Sequence, residues 1–70
     1  MRYAIVIEQA AKNFAAYVPD LPRCIATGAS VEETERLIRK AIELHLEGLR
    51  ADGQPIPAPS SRVDYVEIAA

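Results

Sequence analysis

Residues 14–33 read FAAYVPDLPRCIATGASVEE, and the order of signals inside them decides the fold. Phe14 to Val18 has the period of a strand, with Phe14, Ala16 and Val18 on one face and Ala15 and Tyr17 on the other. Pro19-Asp20-Leu21-Pro22 stops that strand, because neither proline can donate to a ladder. Cys24 to Thr27 forms a second short strand ended by Gly28, and Ser30 then opens a helix. Ser30-Val31-Glu32-Glu33 is a capping box: the serine oxygen accepts from an early helix amide while Glu33 reaches back to the cap amide.

Upstream, Arg2 to Glu8 (RYAIVIE) alternates Tyr3, Ile5 and Ile7 against Ala4 and Val6. Both faces are apolar, the pattern of a central strand covered on two sides. Gln9 to Asn13 is a polar break in which Asn13 can take a left-handed conformation, so the first two strands read as a hairpin. Downstream, the helix spans Val31 to Ala51. Its wheel places Leu44, Leu37, Ala41, Ile38, Leu49, Val31 and Ile42 on one broad face. Glu32–Arg36 and Glu35–Arg39 have the acid-first spacing that favours ion pairs, worth about 0.2–0.5 kcal/mol each. Gly53 stands where a left-handed cap belongs. Gln54 to Ser61 (QPIPAPSS) is a stiff, extended connector, and Val63 to Ile68 (VDYVEI) reads as a fourth strand near a sheet edge. The expected architecture is α+β: one domain over residues 1–70 in the order β-β-β-α-β, an antiparallel sheet with one helix packed on one face.

So short a chain buries only about 60% of its unfolded surface, which leaves its core marginal. A disulfide cannot supplement it, because Cys24 is the only cysteine, and Cys24 with His45 falls short of a structural zinc site. A homo-oligomer, dimer or tetramer, is therefore expected. The net charge of −2 does not suit bulk attraction to nucleic acid and does suit a basic protein partner. No stretch approaches the ~20 apolar residues that cross a bilayer. The lone thiol and the strand that begins almost at Met1, with no signal-peptide cleavage site, point to the cytoplasm.

Tyr17-Val18-Pro19-Asp20-Leu21-Pro22 followed by Cys24-Ile25-Ala26-Thr27-Gly28 resembles the signature of the HicB-like antitoxin superfamily. The resemblance continues through the acidic capping box, Ala41-Ile42-Glu43-Leu44-His45-Leu46, and the stretch from Asp52 to Pro59. It implies a partial ribonuclease-H-like fold and an antitoxin of a type II toxin-antitoxin system. Its partner would be a small basic HicA-type toxin that cleaves mRNA, restrained by occlusion. The alternative is a stand-alone structural or ligand-binding domain with no toxin partner. Two departures stand out. Where the family usually has glycine, this sequence has Arg23, for which a left-handed backbone costs roughly 1 kcal/mol, so a slightly remodelled turn is expected. Many members also carry a C-terminal DNA-binding domain, whereas this sequence stops at Ala70, so no direct DNA binding by this chain is expected.

Nuclease chemistry on a ribonuclease-H-like sheet needs several carboxylates converging on metal ions. The first strand has no interior acid and only Glu8 at its end, Asp20 lies in the loop after the second strand and Asp64 on the last, so neither catalytic residues, metal nor cofactor is expected. His45 lies on the apolar helix face with no recognisable triad around it, and Cys24 sits in a short buried strand. Both read, with Ile38 and Ile42, as core or interface residues. The partner-contact candidates are Asp20 and Arg23 in the loop after the second strand, and Pro55, Pro57 and Pro59 in the connector, whose rigidity limits the entropy lost on binding.

Overall fold

The computed structural model describes residues 1–69. Its elements are β1 (Val6–Gln9), β2 (Phe14–Tyr17), β3 (Ile25–Gly28) and α1 (Val31–Ala51). The strands form one antiparallel sheet in the order β1-β2-β3, with α1 packed across it, an α+β fold. Tyr17 faces Val6 on one side and Ile25 on the other, so β2 is the central strand. The expectation that the first strand is central is corrected: β1 lies at an edge, and it begins at Val6 rather than Arg2. Its ladder cannot run further back. The next residue of β2, Val18, turns its N–H to Cys24 O at 3.3 Å, and Pro19 has no N–H to give.

The β1–β2 turn closes with Ala10 N–H on Asn13 O at 2.8 Å. Asn13 does not take the left-handed conformation; among the described residues, Arg23 (φ 70°) is the non-glycine that does. The helix begins where the capping box places it. Glu33 N–H donates to Ser30 Oγ at 3.1 Å, although the Glu33 carboxylate accepts from Ala29 N–H at 3.4 Å, one residue beyond the cap amide. At the other end Gly53 has φ 67°, with Gly53 N–H on Arg50 O and Gln54 N–H on Leu49 O, the paired bonds of a Schellman cap.

The core is Ala16, Val18, Leu21, Cys24, Ile38 and Leu46, flanked by half-buried Tyr3, Ile5, Ile7, Ala26, Ala41, Ile42, Leu49 and Ile56. The helix phase differs from the wheel in a definite way. Thr34, Ile38 and Leu46 point inward, while Val31, Leu37 and Leu44 (58% exposed) do not. Thr34 explains the rotation. It is fully buried with its hydroxyl donating to Ser30 O at 2.7 Å, and it lies so close to Gly28 that a Cβ there would sit 2.6 Å from Thr34 Oγ1. This threonine–glycine contact sets the azimuth of α1, and a hydrophobicity wheel gives threonine no inward weight. The expected pairs Glu32–Arg36 and Glu35–Arg39 do not form. Among the described residues the one ion pair is Arg62–Asp64, at 3.2 Å and exposed, of little energetic consequence.

The fourth strand is also corrected. Residues 63–68 enter no ladder, and Val63, Tyr65, Val66 and Ile68 are all exposed. A strand needs a neighbour, and none of the chain's own edges receives this segment. Among the described residues no helix is long and apolar enough to cross a membrane.

Candidate functional site

The loop between β2 and β3 is short, ordered and anchored from below. Leu21 N–H donates to Val18 O and Cys24 N–H to Leu21 O, both at 3.1 Å, while the Leu21 side chain is completely buried. Leu21 thereby fastens the loop, which leaves Pro19, Pro22 and Arg23 at the surface. Arg23 keeps the left-handed conformation that would suit glycine, so the turn is retained at the expense of backbone strain of roughly 1 kcal/mol.

Asp20 faces the connector. One carboxylate oxygen accepts from the backbone N–H groups of Ser60 and Ser61, both at 3.0 Å. The other accepts from the hydroxyls of Ser60 at 3.0 Å and Ser61 at 2.8 Å. The backbone bonds of Ser61 and Ser60, followed by the Ser61 hydroxyl, stabilise the ionised carboxylate and lower its pKa to about 2. A second tether joins the phenol of Tyr3 to the carbonyl of Pro57. Pro55 and Pro59 remain exposed and Pro57 is half-buried. Two of the expected contact regions, the Asp20 loop and the proline connector, thus form one continuous, hydrogen-bonded surface.

Ser60, Ser61 and Tyr3, which build that surface, escaped the sequence reading. Asp20 and Ser60 are forty residues apart, and no local pattern announces such a bond. The only hint was a loop aspartate with a pair of serines ending the connector. The remaining candidates lie elsewhere. Cys24 is a free, buried thiol whose pKa is raised by burial, the opposite of an activated nucleophile. Ile38 is a core residue, Ile42 packs half-buried against the core, and His45 is half-buried on α1 beside buried Leu46. Among the described residues no three His, Cys, Asp or Glu side chains converge as a metal site. The arrangement is that of a hydrogen-bonded, exposed surface on a strand–loop–helix body.

Comparison with known proteins follows that geometry. The family described as the HicB-like antitoxin of bacterial toxin-antitoxin systems matches residues 3–69. An uncharacterised 14.9 kDa protein of Haemophilus phage HP1 is 30% identical over 66 residues, covering 94% of this chain and 50% of the phage protein. A UPF0150 protein of Helicobacter pylori strain J99 is 47% identical over 47 residues, covering 67% of this chain and 65% of that one. The chain therefore spans between half and two thirds of the length of these relatives. Among solved structures, a chain of the HicA3 and HicB3 toxin-antitoxin complex superimposes with a TM-score of 0.73 at 28% identity, covering 86% of this chain and 70% of its counterpart.

Proposed function

The chain belongs to the HicB-like antitoxin family, and on that premise we propose that it binds a small basic HicA-type toxin and occludes the toxin's RNA-cleaving face. The likeness to a chain from the HicA3 and HicB3 complex is the observation that carries the proposal. On this reading the chain is a binding module, not an enzyme. Its β-β-β-α body is a partial ribonuclease-H-like fold used as a scaffold. The contact surface is the Asp20 loop with Arg23, continued by Pro55, Pro57 and Pro59. Rigidity favours this surface: the loop is anchored by Leu21 and the connector is tethered at Pro57, Ser60 and Ser61, so little freedom is lost on docking. The net charge of −2 steers association with a basic, RNA-binding partner, and it also disfavours operator binding by these residues themselves. The protein acts in the cytoplasm as a homo-oligomer.

The test is to co-express the chain with a short basic reading frame adjacent to its gene, score growth, and titrate the purified proteins against each other. Growth rescue and a stoichiometric complex are expected, with the complex weakened at least tenfold by Asp20→Lys, which reverses an acid on the contact surface and releases its tether to Ser60 and Ser61. A toxic neighbour that neither binds the chain nor is restrained by it overturns the proposal.

A further inference from the structure

We propose that Ser60 and Ser61 are a phosphorylation site, and that a phosphoryl group on either hydroxyl moves the segment from Asp20 to the arginines Arg2 and Arg62. The inference deepens the antitoxin reading by giving the contact surface a regulator, and its consequence for toxin binding rests on that reading.

The first support is the way the two serines are held. Both are exposed and lie outside the strands and the helix, at the end of the proline connector, so a transferase reaches them without unfolding the body. Their tether is a single side chain. Asp20 accepts the two backbone N–H groups on one oxygen and the two hydroxyls, at 3.0 and 2.8 Å, on the other. A carboxylate has about four lone-pair sites, so this one is full, and two of its four donors are the hydroxyls that modification would consume. A phosphoserine has no hydroxyl proton to donate and carries about −1.5 to −2 charges at neutral pH. Asp20 does not yield by taking up a proton, because the same hydrogen bonds hold its pKa at about 2. The two anions separate.

The second support is a receiver on the other side of the same residues. Between residues 2–5 and residues 59–63 lies a cleft of about 590 Å³, lined by Ser60 and Ser61 themselves, by Arg2 on the N-terminal wall and by Arg62 on the C-terminal one. No acid lines it. Among the described residues Arg2 enters no ion pair, and Arg62 holds only Asp64, at 3.2 Å and largely exposed. A phosphate dianion with three acceptor oxygens takes forked, charge-assisted bonds from two guanidiniums and displaces so weak a pairing. The serines thus stand between a permanent anion and an unoccupied pair of cations, and the charge on their hydroxyls decides which they face. The bond from Tyr3 to Pro57 involves neither serine, so the movement is confined to the chain beyond the connector.

In the transfer itself a serine oxygen forms a bond to the terminal phosphorus of a nucleoside triphosphate. The bond from that phosphorus to the bridging oxygen breaks, nucleoside diphosphate leaves, and the hydroxyl proton passes to solvent. Release from Asp20 parts the loop from the connector, the two halves of the contact surface. The new charge is neutralised by the arginines rather than offered to a basic partner.

The chain recovered from the cells that encode it should carry a phosphoryl group in the tryptic peptide 51–62, on Ser60 or Ser61. Its absence in growing, starved and heat-stressed cells overturns the proposal. In the full chain made with phosphoserine at position 61, phosphorus resonance should show the phosphate titrating at least half a unit below the value of about 6 for an open peptide. Arg2→Gln should remove most of that shift, and the amide of Ser60 should leave the position it holds in the unmodified chain. A phosphate that titrates as in the peptide, or a shift indifferent to Arg2→Gln, overturns the proposal. Against the product of the adjacent basic reading frame, the phosphorylated chain should bind at least tenfold more weakly than the unmodified one. Equal or tighter binding overturns the regulatory step. Failure of the unmodified chain to bind overturns the antitoxin reading instead, and the measurements made without toxin then decide the site alone.

Discussion

The loop from Val18 to Cys24 and the segment from Val63 to Ile68 are both short and mostly apolar, yet their fates are opposite. In the loop, Val18, Leu21 and Cys24 are buried, with Leu21 at 0% exposure; in the segment, Tyr65 reaches 94%. The loop lies between two strands already paired, and its own backbone bonds turn Leu21 down between sheet and helix. The C-terminal segment follows a connector without amide donors at Pro55, Pro57 and Pro59 and leaves its tether at Ser61 without entering a ladder. Apolar side chains are buried where neighbouring elements are already fixed to receive them. Where no such neighbour exists, the same composition becomes an unfilled valence.

That contrast can be broken most forcefully at Leu21. Leu21→Ala should cost about 2–5 kcal/mol, read as a lower midpoint in urea, because the cavity would open under a loop that cannot collapse without breaking its own hydrogen bonds. An unchanged midpoint would show that the loop does not hold the core. Ser30→Ala should cost about 1 kcal/mol in the same assay, since it removes the acceptor for Glu33 N–H. The Asp20 tether should show itself in pH. Its carboxylate has a pKa of about 2 in the folded chain against 3.8 ordinarily, so its contribution is complete above the ordinary value. It is lost as pH falls through the folded one. Asp20→Asn should therefore flatten the stability profile between about pH 4 and 2 and leave its slope at higher pH unchanged. Smallest of all, Tyr65→Ser should change the unfolding midpoint of the dilute monomer by no more than about 0.5 kcal/mol. A larger loss at dilution would mean that the segment belongs to the body after all.

The sequence was most readable where local chemistry decides the outcome. Proline stops, the serine cap and the glycine at the helix end placed β2, β3 and α1 to within a residue, because each acts over a few bonds of chain. The turn at Arg23 was not remodelled: it kept the left-handed backbone despite the side chain. What stayed hidden depended on remote partners. The azimuth of α1 comes from Thr34 settling over Gly28, a fit of one hydroxyl against one missing side chain. The tether on Asp20 comes from serines forty residues away. The last strand had the right alternation, but alternation establishes only that a segment can pair.

Because the strands lie in space in the order they follow in the chain, the densest contacts in the body join consecutive elements. Such a topology closes small loops first: hairpins form in about 1–10 µs, and a βα joint of two residues, Ala29 and Ser30, lets the helix dock at once. Seating Ser60 and Ser61 on Asp20 is a different kinetic event. It closes a ring of some forty residues and so carries the larger entropic barrier. The body should assemble early and the connector latch last, so during folding the C-terminal segment is free longest and passes through solution before any surface claims it.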